Sequence, residues 1–350
     1  MAQRVLMAMS GGIDSSVAAM LLLEKGYELT GVTFRTFDSI KPSCLAKEKG
    51  CCSVESIMEA RNLAHRLGFE HHIVDFRDVF REHVIANFVE EYSHGRTPNP
   101  CVMCNSHIKW GVLLEEANRH KCELIATGHY ARIAQQGGHW FLRRAADSHK
   151  DQTYFLWMLT EENLSRTVFP LGDLTKDEVR KMAAERGFEQ LSKKKESQEI
   201  CFIPDNDYRS FLASEGCESH EGQYIDGEGK AIGRHAGYQN YTIGQRKGLG
   251  VALGYPAFVT RIDAENNEVT LGRHDDLLQT EVRLREDMRF LGDSSQPVQA
   301  QIRYRSQPTE AFVDTGQHSL HFAAPVWAAA PGQSAVIYQD ELLVGGGIIK

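Results

Sequence analysis

The sequence predicts an α/β domain built on a parallel sheet and followed by two small β-rich domains. A strand-like apolar run, residues 5–9, leads into a glycine-rich stretch, residues 10–16, and an Ala-rich apolar run, residues 17–23, leaves it. Residues 28–34 then have the pattern of a second strand, which completes a β-α-β unit and implies parallel pairing. Beyond residue 216 the helical patterns give way to short β-like segments separated by glycines.

The length of 350 residues predicts two to three domains, because one hydrophobic core seldom supports so long a chain. We place them at residues 1–203, 204–277 and 278–350. A hydrophobic fraction of 42% and a charged fraction of 25% are typical of globular proteins. No apolar stretch reaches membrane-spanning length and the start has no signal-peptide pattern, so we expect a cytoplasmic protein without a membrane partner. The net charge of −8 counts against nucleic acid as a partner, although a local basic face is compatible with it.

Further elements of the first domain follow from apolar spacing and from glycine stops. Helices are predicted over residues 56–67, 79–92 and 176–188, with another beginning at Lys150; strands are predicted over 72–76, 123–130 and 140–144. In the last domain, residues 301–305, 311–313 and 334–338 are predicted strands of a small barrel or sandwich.

The stretch Ser10-Gly11-Gly12-Ile13-Asp14-Ser15-Ser16 predicts a tight loop between a strand and a helix. Unpaired N–H groups and the positive end of the dipole at the helix start make a site suited to a phosphate or pyrophosphate. The spacing is neither that of a Walker A loop nor G-x-G-x-x-G. The alternative is a small-residue turn without a ligand.

A Cys-x-x-Cys pair, Cys101 and Cys104, follows two prolines where a helix can start. A thiol near a helix N-terminus has its thiolate favoured, which makes it a better nucleophile and metal ligand. Zinc, a redox pair and an iron–sulfur ligand all remain open for this spacing. In a reducing compartment the eight cysteines indicate metal or catalytic use rather than a disulfide framework.

The strand predicted over residues 123–130 ends in a loop that contains Gly128 and His129. Loops at the carboxyl ends of parallel strands converge on one crevice, so this loop should lie beside residues 10–15. A merely hydrogen-bonded core histidine is the competing interpretation of His129. A run of three lysines, residues 193–195, precedes Cys201, which has apolar neighbours.

Taken together, the motifs SGGIDSS, GRTPNPCVMCN, ATGHYAR, KDQTYFL, SQEICFIP, IRYRS and PGQSAVIY occur in order along nearly the whole chain. This set resembles the tRNA-specific 2-thiouridylases of the PP-loop ATP pyrophosphatase superfamily. The resemblance implies a PP-loop (adenine nucleotide alpha hydrolase-like) domain followed by two β-rich domains. It implies ATP-dependent replacement of the C2 oxygen of the wobble uridine (U34) of tRNA by sulfur.

The resemblance also implies roles for individual residues. Cys104 matches the nucleophile and Cys201 the cysteine that carries sulfur as a persulfide, while Asn99, Pro100 and Cys101 match the segment that meets the target base. The implied ATP-binding residues are Ala8, Met9, Ser10, Gly11, Gly12, Ile13, Asp14, Ser15, Phe34 and Gly128. The implied tRNA-contacting residues are His129, Lys150, Asp151, Gln152, Arg303, Tyr304 and Gln333. ATP, Mg²⁺, the tRNA anticodon stem-loop, and a sulfur-donor protein or sulfide are the implied cofactors and partners.

The sequence departs from the family at Cys101, where many members have Asp. A thiol with a pKa near 8.5 is a much weaker acid than a carboxyl group, so an Asp-based mechanism does not carry over. A [4Fe–4S] cluster on Cys101, Cys104 and Cys201 and a metal-free persulfide route are both open. We assign no role to Cys44, Cys51 and Cys52, and expect Cys122 and Cys217 to be packing residues.

Two other functional classes compete with this interpretation. One is a PP-loop ligase or amidotransferase-type enzyme that adenylates a small metabolite, which needs no Cys201. The other is a non-catalytic tRNA-binding protein that has kept the fold.

Overall fold

The computed structural model describes residues 2–37, 54–192, 200–203 and 206–350. Cys44, Cys51, Cys52 and the lysine run 193–195 lie outside these ranges. The chain divides into two compact units. The first comprises Met1–Val84, Cys101–Asn206 and Glu341–Leu343; the second comprises Ile85–Pro100, Asp207–Asp340 and Val344–Lys350.

The first unit contains a parallel sheet at whose centre lies the first strand of the chain. Its strands are β1 (Arg4–Ala8), β2 (Glu28–Arg35), β3 (Glu70–Asp75), β4 (Leu124–Ala126), β5 (Arg132–Gln136), β6 (His139–Arg143) and β7 (Thr167–Val168). Five of them form the sheet in the order β3-β2-β1-β4-β7, and every pair is parallel. β5 and β6 form an antiparallel hairpin outside the parallel sheet, and Leu342 and Leu343 pair with β6. Val5, Leu6 and Met7 are fully buried, as a strand covered on both faces requires.

Helices cover the parallel sheet and make the connections between its strands. In chain order the helices of the protein are α1 (Ile13–Glu24), α2 (Val54–Leu67), α3 (Arg77–Phe80), α4 (Ala86–Ser93), α5 (Pro100–Met103), α6 (Leu113–Arg119), α7 (Glu161–Ser165), α8 (Lys176–Glu185), α9 (Glu189–Ser192) and α10 (Tyr208–Ser214). Of these, α4 and α10 belong to the second unit. α1 is apolar around most of its circumference and contributes Val17, Ala18 and Leu22, each fully buried, to the core. No helix in the described ranges is long and apolar enough to cross a membrane.

Three predicted elements differ from the structure. The helix predicted over residues 79–92 is interrupted by a π-helical turn, Arg81–Ile85. The helix predicted from Lys150 is wrong: only a 3₁₀ turn, Thr153–Phe155, forms there, because the Asp151 carboxylate binds the amides of Ala145 and Thr153 and fixes a non-helical loop.

The strand predicted over residues 301–305 is also wrong, because the strand observed there covers Val298–Gln301 and ends where the predicted one begins. Beyond it, the Ser306 N–H donates to the Arg303 carbonyl oxygen (3.0 Å), which closes a turn containing Arg303 and Tyr304.

The second unit is mostly β-structure. Its strands are β8 (Gly222–Ile225), β9 (Ala231–His235), β10 (Phe258–Asp263), β11 (Glu268–Gly272), β12 (Leu278–Arg283), β13 (Arg289–Phe290), β14 (Val298–Gln301), β15 (Thr309–Asp314), β16 (Ser319–Trp327), β17 (Ser334–Gln339) and β18 (Leu342–Ile348). One sheet has the order β10-β11-β8-β9, and a second runs β12-β16-β15-β14-β17-β18. The predicted fold class, a parallel-sheet α/β domain followed by β-rich domains, is therefore confirmed.

Candidate functional site

The glycine-rich loop joins β1 to the N-terminus of α1. Gly12 is the N-cap and has no side chain to satisfy the first amides of this 12-residue helix. Gly11 has φ +68°, and a Cβ there would lie 2.3 Å from the Ser56 carbonyl oxygen. The Ser10 N–H donates to Ser15 Oγ (3.2 Å), and Ser16 Oγ donates to the Gly12 carbonyl oxygen (2.8 Å). The loop is thus held in shape by its own serines, and its helix start is suited to an anion.

The loop after β4 packs directly on this helix start. A Cβ at Gly128 would lie 2.7 Å from the backbone nitrogen of Ser15 and 2.8 Å from the carbonyl carbon of Asp14. Only glycine permits this approach. The prediction that the two loops are neighbours is therefore confirmed.

Asp14, in the first turn of α1, is bound by two side chains that sequence reasoning missed. Lys176 Nζ lies 2.8 Å from each carboxylate oxygen, and Tyr130 Oη donates to Oδ1 at 2.8 Å. Lys176 is buried at the start of α8, where Thr175 and Glu178 form a capping box. The sequence signal at this place is the Thr-x-x-Glu pattern of the capping box, which predicts the start of α8 but does not indicate that Lys176 reaches Asp14.

The strand side of the loop is supported by a histidine that was also missed. Thr33 Oγ1 donates to the Met9 carbonyl oxygen (2.8 Å), so its only proton is used, and His71 Nε2 must carry the proton that it donates to Thr33 Oγ1 (2.8 Å). Burial, with His72 and Arg61 nearby, lowers the pKa of His71 to about 4. Phe34, a predicted nucleotide contact, packs on Phe76 with ring centroids 5.0 Å apart.

Cys101 and Cys104 lie near the start of a continuous helical segment. α5 begins at Pro100, passes into a π-helical stretch, Cys104–Val112, and continues as α6. Cys101 is exposed, but enough protein surrounds its thiol that desolvation raises its pKa, while the positive charge of Lys109 acts in the opposite direction. Desolvation therefore acts on the pKa of Cys101 in the direction opposite to the thiolate stabilisation expected at a helix start. π-helical turns within α-helices are frequent at functional sites.

Lys109 also binds His129, which ends the loop after β4. An ammonium group only donates, so Lys109 Nζ donates to His129 Nε2 (3.3 Å), and the other ring nitrogen carries the proton that it gives to Thr127 Oγ1 (2.7 Å). Burial and the Lys109 charge lower the pKa of His129 well below its usual range. His129 is therefore a neutral, hydrogen-bonded histidine that holds Lys109 in place.

The loop that contains Lys150, Asp151 and Gln152 contacts both Tyr130, which binds Asp14 at the start of α1, and the helical segment that contains Cys104. Gln152 Oε1 accepts from the Tyr130 N–H (2.9 Å), and Asn105 Nδ2 donates to the Phe155 carbonyl oxygen (2.9 Å). Asp151 is buried and accepts from Thr153 Oγ1 (2.7 Å) and Arg144 (3.2 Å). Within the first unit, these contacts link the glycine loop to the helical turn after Cys104.

Cys201 is exposed beside Phe202, whose buried ring packs against Phe80 with centroids 5.6 Å apart. Cys101, Cys104 and Cys201 are all thiols. In the part of the chain that the structure describes, no three His, Cys, Asp or Glu side chains are grouped closely enough to hold a metal ion. The three thiols are thus not arranged as a cluster site in this conformation.

The remaining predicted tRNA contacts, Arg303, Tyr304 and Gln333, lie in the second unit, and the side chains of Arg303 and Gln333 bind the protein backbone there. Arg303 Nη2 donates to the carbonyl oxygens of Ile243 (2.9 Å) and Ala328 (2.7 Å), and its guanidinium lies 5.7 Å from the Trp327 ring centroid. Gln333 Nε2 donates to the carbonyl oxygens of Thr97 and Pro98, each at 2.9 Å.

A parallel sheet with a glycine loop at the start of a buried helix, followed by two β domains, defines the class of HUP-domain proteins with appended β-barrels. The family models described as "tRNA methyl transferase HUP domain", "tRNA methyl transferase PRC-barrel domain" and "Aminomethyltransferase beta-barrel domain" match residues 3–205, 209–273 and 277–349. The chain belongs to the tRNA-specific 2-thiouridylase family.

Its similarity to members of that family extends over the full length. It is 48% identical to the tRNA-specific 2-thiouridylase MnmA of Cytophaga hutchinsonii, over 99% of this chain and 97% of that protein. It is 44% identical to the protein of the same name from Desulfitobacterium hafniense, over 99% and 98%. Among solved structures, a 4-thiouridine synthetase–RNA complex with bound ATP aligns at 19% identity and a TM-score of 0.37, over 61% of this chain and 50% of that one.

Proposed function

We propose that this protein is a tRNA-uridine 2-sulfurtransferase that activates the C2 oxygen of the wobble uridine with ATP and replaces it with sulfur. The observation that carries the proposal is full-length similarity to the 2-thiouridylases, with 48% identity to one member over 99% of the chain. The partners would be the tRNA anticodon stem-loop and a sulfur-donor protein or sulfide, and the compartment the cytoplasm.

ATP would bind at the glycine loop, with its phosphates facing the backbone N–H groups at the start of α1. The fit is supported by the Gly12 N-cap and by the tight approach of Gly128, which has no side chain of its own to cover the helix start. Mg²⁺ bound to the phosphates would neutralise charge on the departing pyrophosphate. Asp14 is the carboxylate that the loop itself contributes.

The sulfur would come from a persulfide on Cys201. A carbonyl oxygen is a poor leaving group, so the uridine O2 first attacks the α-phosphorus of ATP and pyrophosphate leaves. The persulfide sulfur then adds to C2 and AMP departs, and Cys104 attacks the Cys201 sulfur to break the S–S bond. Alternatively, Cys104 attacks first and the released hydrosulfide adds to C2. Both orders form one Cys104–Cys201 disulfide per thiouridine, which an added thiol must reduce.

The target base would have to leave its anticodon stack to reach Asn99, Pro100 and Cys101. Because burial raises the pKa of Cys101, its thiol is neutral at pH 7 and would serve as a hydrogen-bond donor rather than a base. RNA contacts are proposed for six of the seven residues implied by the resemblance, of which Lys150, Asp151 and Gln152 share one loop. The seventh, Gln333, uses both N–H groups of its amide on the protein backbone.

The direct test is mass spectrometry of wobble nucleosides after incubation of tRNA with ATP and the persulfide-charged protein. We expect 2-thiouridine with AMP and pyrophosphate released in equal amounts, and no product from Cys201→Ser or Cys104→Ser. Cys217→Ser, which changes a thiol of the second unit, is the matched control and should retain activity. A fully active Cys201→Ser variant would instead favour a ligase that adenylates a small metabolite.

The metal-free route and the [4Fe–4S] route make different predictions for the same assay. Anaerobically purified protein should be analysed for iron, sulfide and visible absorption before and after iron reconstitution. We propose that iron-free protein charged with persulfide is fully active. Activity that appears only with a stoichiometric cluster would replace the persulfide with cluster-bound hydrosulfide.

A further inference from the structure

Within the second unit, the segment that precedes the target-base residues is held by the turn Pro331-Gly332-Gln333. The Thr97 N–H donates to the Pro331 carbonyl oxygen (2.8 Å), and Gln333 Nε2 donates to the carbonyl oxygens of both Thr97 and Pro98 (2.9 Å each). Gly332 has φ +87°, and a Cβ there would lie 2.9 Å from the Thr97 carbonyl oxygen. Both N–H bonds of the Gln333 amide are thus used on consecutive carbonyls of one segment.

A buried carboxylate provides a second attachment of the same segment. Glu91, which is 4% exposed, accepts from Arg96 Nε (2.8 Å) and from Arg285 Nη2 at both oxygens (2.7 and 2.9 Å). Burial alone would raise the pKa of Glu91, but the two arginines outweigh it and the pKa falls below its usual range. Arg285 follows β12, so this contact also reaches the last β domain.

Two prolines make this segment rigid, so its attachment also restrains the residues that follow it in the chain. Proline fixes φ and restricts the residue before it, so Pro98 and Pro100 leave Thr97, Asn99 and the start of α5 few alternative conformations. The hydrogen bonds to the carbonyl oxygens of Thr97 and Pro98 therefore also fix the direction of the backbone at Asn99.

We propose that Gln333, Glu91 and Arg285 are positioning residues that set the placement of Asn99 and Pro100 for the target base. This proposal rests on the proposed function, because it assumes that these residues meet the uridine. In this proposal the C-terminal β domain contributes to the reaction by positioning Asn99 and Pro100, and Gln333 need not contact RNA. A displacement of about 1 Å in a reacting geometry costs on the order of a hundredfold in rate.

Gln333→Met is the primary variant, because methionine has a similar length, carries no charge and donates no hydrogen bond. Gln317→Met, at an exposed glutamine of the same domain, is the matched control. We expect the single-turnover rate of thiolation at saturating tRNA to fall at least tenfold in Gln333→Met, with less than a twofold change in the Kd for an anticodon stem-loop. The control should match the wild type in both. An increase in Kd with an unchanged rate at saturation would overturn the proposal in favour of a direct RNA contact.

Hydrogen exchange gives a readout independent of activity. Loss of the Gln333 amide should speed exchange in a peptide covering residues 94–99 at least tenfold, while β15 and β16 keep their protection. Unchanged exchange in that peptide would overturn the positioning role even if the rate falls. If wild-type protein makes no 2-thiouridine, the proposed function fails, whereas the exchange result still decides whether Gln333 holds the segment.

A second variant covers the case in which Gln333→Met does not fold. Arg285→Lys keeps the charge beside Glu91 but loses the planar fork of the guanidinium. We expect the same pattern of a lowered rate, an unchanged Kd and faster exchange over residues 94–99. A rate and an exchange profile equal to the wild type would overturn the role of Arg285 and Glu91.

Discussion

Lys176 Nζ lies 2.8 Å from both carboxylate oxygens of Asp14, although 162 positions separate the two residues in the chain. Asp14 stands in the first turn of α1, where a carboxylate without a partner would repel a polyphosphate at the same helix end. Lys176 is 5% exposed, so its charge is poorly screened by water. The ammonium group therefore makes the Asp14 carboxylate compatible with an anion at the loop.

We predict that Lys176→Met raises the KM for ATP at least tenfold, because it leaves the Asp14 charge uncompensated. Asp14→Asn in the same chain should restore most of the loss, with a coupling energy of about 1–3 kcal/mol between the two sites. Steady-state kinetics on the two single variants and the double variant measure this coupling. Lys181→Met, at an exposed lysine of the same helix, is the control and should leave the KM unchanged.

The double variant also separates two roles for Lys176. If it remains as impaired as Lys176→Met alone, Lys176 acts on ATP directly and the charge-compensation explanation is contradicted.

Gly128→Ala should impair nucleotide binding through sterics alone. The added Cβ would lie 2.7 Å from the Ser15 nitrogen, so the loop or the start of α1 must shift. Forced overpacking of this kind costs about 1–3 kcal/mol, and we expect the KM for ATP to rise by tenfold or more. Gly227→Ala adds the same methyl group where nothing lies within 4 Å, and should be neutral. Equal kinetics for the two variants would show that the loops separate freely.

Sequence reasoning was sufficient for the parallel-sheet architecture. Val5, Leu6 and Met7 form an uninterrupted apolar run because β1 is covered on both faces, and the glycines at 11 and 12 mark the loop that follows. The neighbouring position of Gly128 followed from the rule that loops at strand carboxyl ends converge. These are properties of local pattern and of general topology, and both can be read from one sequence.

The side-chain partners of the site could not be predicted in the same way. The pairings of Asp14 with Lys176 and of Thr97 with Gln333 join residues 162 and 236 positions apart, and neither leaves a periodic pattern. The π-helical stretch after Cys104 has no distinctive residue period either. The prediction of a helix at Lys150 was wrong because the Asp151 carboxylate binds backbone N–H groups that a helix would use. Helix propensities of single residues do not include this competition.

The titration of Cys101 tests whether desolvation or the helix N-terminus dominates at that thiol. Because burial raises its pKa, alkylation of Cys101 should increase with pH to a midpoint above the ordinary thiol value of about 8.5. Lys109 lowers this pKa, so Lys109→Met should move the midpoint further upward, whereas Lys181→Met should not move it. Peptide mass spectrometry after timed iodoacetamide treatment measures the rate at each pH. A wild-type midpoint below 8.5 would mean that the helix start outweighs desolvation.

His71 should make the stability of the protein depend on pH. Its pKa falls from 6.5 to about 4 on folding, mainly through burial, so below pH 6.5 the unfolded chain binds a proton that the folded chain does not. Stability from this group is therefore complete above pH 6.5 and is lost as the pH falls towards 4, at up to ~1.4 kcal/mol per pH unit. In His71→Gln the side chain stays neutral in both states, so this part of the slope should disappear.

Urea unfolding at pH 7.5 and pH 5.0 measures the difference for the wild type and His71→Gln. The wild type should lose more free energy of unfolding between the two pH values than the variant, although His129, whose pKa is also lowered by burial, leaves a slope in both. At pH 7.5 the histidine is neutral whether the chain is folded or not, so a stability difference there reports the changed contacts of the side chain, including the hydrogen bond to Thr33 Oγ1. Identical losses in the two proteins would mean that His71 takes up its proton without unfolding the strand that supports the glycine loop.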